Sequence, residues 1–415
     1  MSYDVQLTRD VVRVSTMADC LEVLRSDKVR DATPVREHTL RGGTLVTTDG
    51  AEHQRRRRLA NRLVRREAHR RYRDDTLGPT VTRRIDELLR TADADGIVRT
   101  DLIALGREAF LELAAVLGGI DLAGDADREA LSSLLDVIHK GGNLAWVPEG
   151  DVEGERAAVA RGLAAQEAFR QRFYEPSRET RREMLRRVES GAIHEDDLPA
   201  SFMMLIALQA DPAWDDEDLA VRDTERFLLG GAHTNVHPLG FVVDELEAWF
   251  VTHPEDHALR TDAAFLDGAV NEVLRLHTAT PVLLRRAAEH MTLASGVEIP
   301  AGSTIAVDAG AASRDEAAYG PAAAVFDPRR QVPAGVYRYG LAFSSGPHMC
   351  MGLPIVLGAQ GIDGTQVHLL RALYESGLRR DPSRPARRMP ANKDRYDSYP
   401  VVLDPAERTT GVRAA

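Results

Sequence analysis

The chain has 415 residues, 43% of them hydrophobic, a formal net charge of −11 and two cysteines, Cys20 and Cys350. That acidic balance argues against general nucleic-acid binding, and no stretch approaches the ~18–20 uninterrupted apolar residues of a membrane span. Two cysteines permit one disulfide, but a reduced cytoplasmic protein using a single thiolate fits the count better, and the charged N-terminus lacks the apolar core of a signal peptide.

Length alone allows two or three domains. Helical patterns nevertheless fill most of the chain and strands are hinted at only in short pieces, so residues 1–415 read as a single domain, mainly α with small β-sheets. Residues 3–16 alternate enough for one or two strands, a helix covers 17–26, and 27–50 is irregular. Residues 52–89 read as helix with a break near Gly78 and Pro79. Residues 101–117 form an amphipathic helix ended by Gly118 and Gly119. Helices are expected at 127–139, 155–175 and 198–210. A long one runs from about 215 to 252 despite Gly230, Gly231 and Pro238. Residues 264–277 are helical up to Pro281, short strands follow to about 307, 309–345 is mostly coil, and a last helix covers 353–377. A strand closes the tail at 399–403.

The sequence Phe343-Ser-Ser-Gly-Pro-His-Met-Cys-Met-Gly352 presents Cys350 on a glycine-punctuated loop. A thiolate held this way can be the axial ligand of a haem iron. Gly346 and Gly352 allow backbone conformations and a close approach to a flat ring, Phe343 can shield the sulfur, nearby N–H groups can lower the thiol's pKa, and His348 is placed to meet a haem propionate. A lone cysteine is more often a buried structural residue, and that reading stands beside the first.

His53 and Arg57 lie four apart, on one face of a helix, and could grip two carboxylates of one ligand or belong to a solvated face. Ten arginines fall between Arg55 and Arg73. Such a run is a solvated face, a nucleic-acid patch or a dock for an acidic partner; with Tyr72 as its one aromatic, nucleic acid is the weakest of the three. Glu272 and Arg275 sit one turn apart, suited to a buried bidentate pair. In Phe227-Leu-Leu-Gly-Gly-Ala-His-Thr-Asn235 the glycines let a helix pass close over a flat cofactor. Thr234 offers a hydroxyl, and Pro238 leaves the Thr234 carbonyl without its helical donor.

The cysteine loop resembles the haem-binding signature of the cytochrome P450 superfamily, Phe-x-x-Gly-x-basic-x-Cys-x-Gly, and matches it at every fixed position. The resemblance extends, more weakly, from about Val11 to the C-terminus, with a start shorter than the family's. It implies the family's triangular-prism fold and haem b, with Cys350 as axial ligand and His53, Arg57, Arg285 and His348 on propionates. Gly230, Gly231, Phe343, Ser344, Gly346 and Gly352 would be cofactor contacts, and Glu272 with Arg275 structural. The family's helix usually has an acid before its threonine; here His233 stands there, so Thr234 with His233 would deliver protons, unless His233 packs against a neighbouring helix. The family often has an arginine completing the Glu/Arg pair just before Phe326, where this chain has Val325, so an incomplete triad is expected.

The resemblance also implies electrons from NAD(P)H through a ferredoxin reductase and an acidic ferredoxin docked on the arginine-rich 55–73 helix, a monomer, and a small organic substrate. Asn235, Val282 and Leu283 are candidate substrate contacts, with 280–284, 28–48 and the region near Trp146 as wider lining. The implied reaction is insertion of one O2 oxygen in a bacterial natural-product pathway. The same family chemistry permits coupling, desaturation or peroxide-driven reactions without oxygen insertion, which His233 keeps open, and a non-catalytic haem sensor is the reading outside enzymology.

Overall fold

Glycine and proline, more than hydrophobic periodicity, decide where the helices of this chain stop. The computed structural model describes residues 11–33, 37–144, 147, 150–359, 361–389 and 392–407. The expected strand residues 3–10, part of the 28–48 lining and Trp146 lie outside them. The chain folds into two compact units, one drawn from 1–32, 78–107 and 235–415, the other from 33–77 and 108–234.

The first unit is built on a four-stranded sheet. Val11–Val14 runs parallel to Thr304–Asp308, which pairs antiparallel with Val282–Ala287, itself antiparallel to Val29–Asp31. Val14, Ile305 and Val307 turn into a core shared with Met17, Cys20 and Val23 of the helix Met17–Arg25. Thr16 starts that helix by accepting from Asp19 N. A second sheet orders Leu378–Arg380, Pro400–Leu403 and Val98–Asp101 antiparallel. Its strand 98–101 was not expected. Asp101 then accepts from Ile103 N and Ala104 N at the start of Leu102–Gly118.

The second unit packs helices around Leu111, Leu131, Leu135, Phe169, Phe202, Trp214 and Leu228. Its helices include Asp125–Gly142, Val152–Phe169, Glu175–Glu189 and Glu217–Ala232. The expected helix at 155–175 continues to Glu189: a π turn over Arg170–Tyr174 carries the chain forward, and Pro176 falls in the first turn of the next helix, where its missing N–H costs nothing. The helix expected at 198–210 is only Phe202–Ala207.

Three expected helices are broken. The one from 215 to 252 ends at Ala232 and restarts at His237, because the Pro238 ring cannot follow the Thr234 carbonyl in an unbroken helix and serves as a first-turn residue instead. The 52–89 stretch is Gly50–Ala60, a tight turn at Asn61–Val64, Arg66–Tyr72, a π turn and Gly78–Leu89; the break falls before Arg66, and Pro79 opens a helix rather than ending one. The last helix splits into Leu353–Leu357 and Thr365–Glu375 around a hairpin of Gly358–Ala359 and Ile362–Asp363. Gly358 and Gly361 both have left-handed φ, +83° and +81°, and a Cβ on Gly358 would lie 2.2 Å from the Ile362 carbonyl oxygen.

Buried charge in the second unit has a measurable consequence. Glu225 is fully buried, and although Gln166 Nε2 donates to its Oε2 at 2.8 Å, burial pushes its carboxyl up to about 7. Between the ordinary value of 4.5 and about 7 the folded chain therefore holds a proton that the unfolded chain has lost, and stability falls as pH rises. Wild-type melts across this window should lose on the order of 3 kcal/mol more than those of Glu225→Gln. Equal pH slopes would show that Glu225 is not titrating there.

Candidate functional site

Cys350 is exposed and in no disulfide. The loop that carries it closes on itself: Cys350 N donates to Phe343 O at 2.8 Å, and Met349 N to Gly346 O at 3.1 Å across the tight turn Gly346–His348. Ser344 bends the chain in the left-handed region, φ +59°, and its buried Oγ has no partner. Gly346 also has positive φ, +68°, and a Cβ there would lie 2.1 Å from Leu24 O, so only glycine lets the loop rest on the end of the helix Met17–Arg25. Gly352 differs from expectation, with an ordinary helical backbone at φ −73°. Phe343 is buried, its ring edge-on to Tyr339 at 5.2 Å, and His348 is half-buried.

Arg25 and Tyr337, which nothing in the loop's own sequence indicates, fix its approach. Arg25 Nε reaches Ser345 Oγ at 3.1 Å and Nη2 reaches Tyr337 Oη at 3.0 Å. The other cysteine is unsuited to ligation: burial, with Asp308 and Asp19 nearby, pushes the Cys20 thiol up to about 12, far from a thiolate at neutral pH.

The coil leading to this loop is held by the helix Ala263–Leu276. Arg275 is fully buried, paired with both oxygens of Glu272 at 2.6 and 2.7 Å, and donates through Nη1 to the Ser313 and Ala323 carbonyls at 2.5 and 2.6 Å. The expected incomplete triad is corrected here. Arg330, four residues beyond Phe326, brings its Nε to Glu272 Oε1 at 2.8 Å and donates to the carbonyls of Tyr319, Ala322 and Val325. Val325 thus contributes its carbonyl to the group, while the guanidinium comes from further along.

Arg285, Val282 and Leu283 lie on the strand Val282–Ala287. Arg285 Nη1 donates to Leu284 O at 2.8 Å, and Leu283 packs against the sheet's hydrophobic core. Asn235 is buried, its carbonyl accepting from Gln366 Nε2 at 2.6 Å.

In the second unit, His53 and Arg57 share the helix Gly50–Ala60 one turn apart, His53 buried and Arg57 half-exposed with Nε 2.9 Å from Asn61 Oδ1. Their arginine neighbours differ in their partners. Arg55 forms a two-point pair with Asp211 at 2.6 and 3.1 Å, and the fully buried Arg56 reaches Asp223, Thr48 and Gly43 O. Arg58, Arg62, Arg65, Arg70 and Arg71 are exposed.

Gly230 is exposed, while an added Cβ on Gly231 would press on Ala114 at 3.0 Å. Thr234 Oγ1 donates to Gly230 O at 2.6 Å. His233 turns toward the helix Asp125–Gly142, with Nε2 3.4 Å from Asp136 Oδ1 and its ring edge-on to His139 at 5.8 Å. Packing against a neighbouring helix, the alternative to a proton relay, is therefore the arrangement observed.

A family model for Cytochrome P450 matches residues 251–356, which include Glu272, Arg275, Arg285 and the whole cysteine loop. 6-Deoxyerythronolide B hydroxylase of Saccharopolyspora erythraea is 36% identical over 129 residues, 31% of this chain and 29% of that protein. The chain spans 20% to 46% of the first curated relatives it matches. Among solved structures, CalO2 aligns with a TM-score of 0.69 and 22% identity over 96% of this chain and 92% of its own. P450BioI, solved with an acyl carrier protein ligated to hexadec-9Z-enoic acid, aligns with a TM-score of 0.68 and 17% identity over 94% and 92%.

Removing Arg330 takes away one of the two guanidinium groups on Glu272, which keeps its two-point pair with Arg275, and leaves the Tyr319 and Val325 carbonyls without the guanidinium that holds them. Arg330→Ala should cost roughly 2–3 kcal/mol in denaturant unfolding, whereas adding Val325→Arg, which places a guanidinium at the more usual position, should restore less than half of that loss. A cost below about 1 kcal/mol would make Arg330 a surface residue.

Proposed function

This chain belongs to the cytochrome P450 superfamily, and from that premise we propose that it is a haem-thiolate monooxygenase acting on a small organic molecule, a tailoring step in bacterial natural-product assembly. Cys350 carries the proposal: it is the exposed thiol on a self-closed loop, while the other cysteine is buried and strongly disfavoured as thiolate. Haem b suits the donor set, and when bound it would supply the cleavage of O2 and the delivery of one oxygen to a substrate C–H bond.

The chain's own residues would then do the following. Cys350 Sγ would ligate the iron, with the buried Phe343 limiting water beside it. His53, Arg57, Arg285 and His348 would neutralise the propionates. Gly230, Gly231, Ser344, Gly346 and Gly352 would line the ring. Thr234 Oγ1 holds a proton that it now gives to Gly230 O; rotation about χ1 would redirect it toward a bound ligand. The 1–415 chain would act as one domain and one copy in the cytoplasm; no helix among the described residues is long and apolar enough to cross a membrane.

Electrons would come from NAD(P)H through a reductase and an acidic ferredoxin. Arg58, Arg62, Arg65, Arg70 and Arg71 are the arginines exposed for such a partner, because Arg55 and Arg56 already serve Asp211 and Asp223. A second reading is favoured by one observation. With His233 turned to Asp136, the adjacent position directs no acid or imidazole to Thr234; this favours peroxide-driven chemistry, in which the oxidant brings its own protons, whereas O2-dependent coupling or desaturation needs the same protons as oxygen insertion.

Reduced, CO-treated protein should absorb at about 450 nm. Cys350→Ala should lose that band and Cys20→Ala keep it; a band surviving in Cys350→Ala would overturn the ligand assignment. Product masses with a ferredoxin system then separate oxygen insertion from the second reading.

Charge reversal at Arg58, Arg62 and Arg65 together should slow ferredoxin-dependent haem reduction roughly tenfold or more at low salt, with the deficit shrinking as salt screens the wild type. An unchanged reduction rate at full haem content would leave the cluster as a solvated surface.

A further inference from the structure

Among the described residues of the second unit, one buried cation lacks the carboxylate partner that its neighbours have. Arg226 lies on the helix Glu217–Ala232, and its Nε and Nη2 are buried with no acceptor. Several other arginines with a buried, unmatched Nε are paired to carboxylates through another nitrogen: Arg56 with Asp223, Arg128 with Glu112, Arg170 with Asp218 and Arg181 with Asp121. Arg226 is not.

The groups around it do not supply the missing charge. Glu37 gives Oε2 to Arg41 Nη1 at 2.5 Å and Oε1 to Leu144 N at 3.2 Å, so both its oxygens are used. Glu225 gives Oε2 to Gln166 and stays largely protonated up to about 7. Arg222 donates to Gly42 O at 3.2 Å and adds further positive charge. Arg41 keeps its own Nε buried and unmatched. Gly142 borders both cations: a Cβ there would lie 3.2 Å from Arg226 Nη2 and 3.4 Å from Arg41 Cγ. Burial and Arg41 lower the Arg226 guanidinium to about 10, which leaves it charged at neutral pH.

Two guanidinium groups with buried open donors, beside one carboxylate whose oxygens each already hold a donor, make a cluster with excess positive charge. Leaving such donors unmatched is costly, and a bidentate oxyanion is the group that would satisfy them. We propose that Arg226, supported by Arg41, binds a carboxylate of the substrate, so that the substrate class is an organic acid. The proposal rests on the monooxygenase reading for what becomes of that acid, and on residues 37–226 alone for its capture.

The test uses haem-loaded protein and two probe pairs, decanoate against methyl decanoate and 3-phenylpropanoate against its methyl ester, with binding read by calorimetry. In the wild type at least one acid should bind about tenfold or more tightly than its ester. Arg226→Met should erase that preference, Arg226→Lys should keep part of it, and Arg186→Met, at an exposed arginine of the helix Glu175–Glu189, should leave it intact. Equal binding of acid and ester in the wild type, a preference surviving in Arg226→Met, or one lost equally in Arg186→Met would each overturn the proposal. The reduced-CO band of the same preparations reports the haem reading separately, so the two can fail independently.

Discussion

Arg275 is the fixed point on which the cysteine-bearing segment depends. Residues 309–345 contain only two single-turn helices, Ala309–Ala312 and Glu316–Tyr319, so this stretch cannot hold its course through helical hydrogen bonds. Arg275 supplies what secondary structure does not. One guanidinium binds Glu272 on its own helix and reaches the backbone at Ser313 and Ala323, while Arg330 returns from the coil to the same carboxylate. Ser313 Oγ in turn accepts from Leu341 N at 3.0 Å, two residues before Phe343. A buried ion pair by itself is a weak source of stability, because desolvation offsets most of its attraction. Here its value is geometric: the carbonyls it binds belong to coil that would otherwise have several courses open to it.

The cysteine loop inherits that order and adds a second anchor. Gly346 rests on the end of Met17–Arg25, and Arg25 holds Ser345 and Tyr337. The anchoring side chains are spread over more than 300 positions of sequence, yet each contact is short and local in space. A loop presenting an exposed thiol needs this arrangement. Fixed backbone keeps the sulfur presented, and the helix and coil beneath it take up the polar groups that a free loop would leave to water.

What could be read from the sequence follows from the range of each signal. The cysteine loop and the Glu272–Arg275 pair are encoded within ten and four consecutive residues, so both were legible. Arg330 was not, because its partner lies 58 positions away in sequence and the position expected to carry a guanidinium was 325. The breaks at 233–236 and 358–364 were legible in principle: Pro238 and the glycines at 358, 361 and 364 are the signals, and apolar periodicity on either side concealed them. His233 is a different case. Its direction depends on Asp136 and His139 of another helix, and no property of residues 227–235 specifies that. Likewise the division of the arginine run into structural and exposed members depends on Asp211 and Asp223, far along the chain.

That division bears on how charge is used in a chain whose basic residues are nearly all arginine. The same residue type staples coil at Arg275 and Arg330, pins helices at Arg55 and Arg56, and remains exposed at Arg58, Arg62 and Arg65. A planar group with five donors can bind a carboxylate and several carbonyls at once, which an ammonium group cannot match in fixed directions. Acceptors must therefore be counted against donors at each site, since composition alone makes every arginine look alike. Counted in this way, Arg275 and Arg330 are matched by Glu272 and a set of carbonyls and act as structure. Arg226, with two buried nitrogens unmatched where the other arginines leave at most one, is where the count falls furthest short within the described chain, and such an imbalance is what a binding site for an external anion looks like before its ligand arrives.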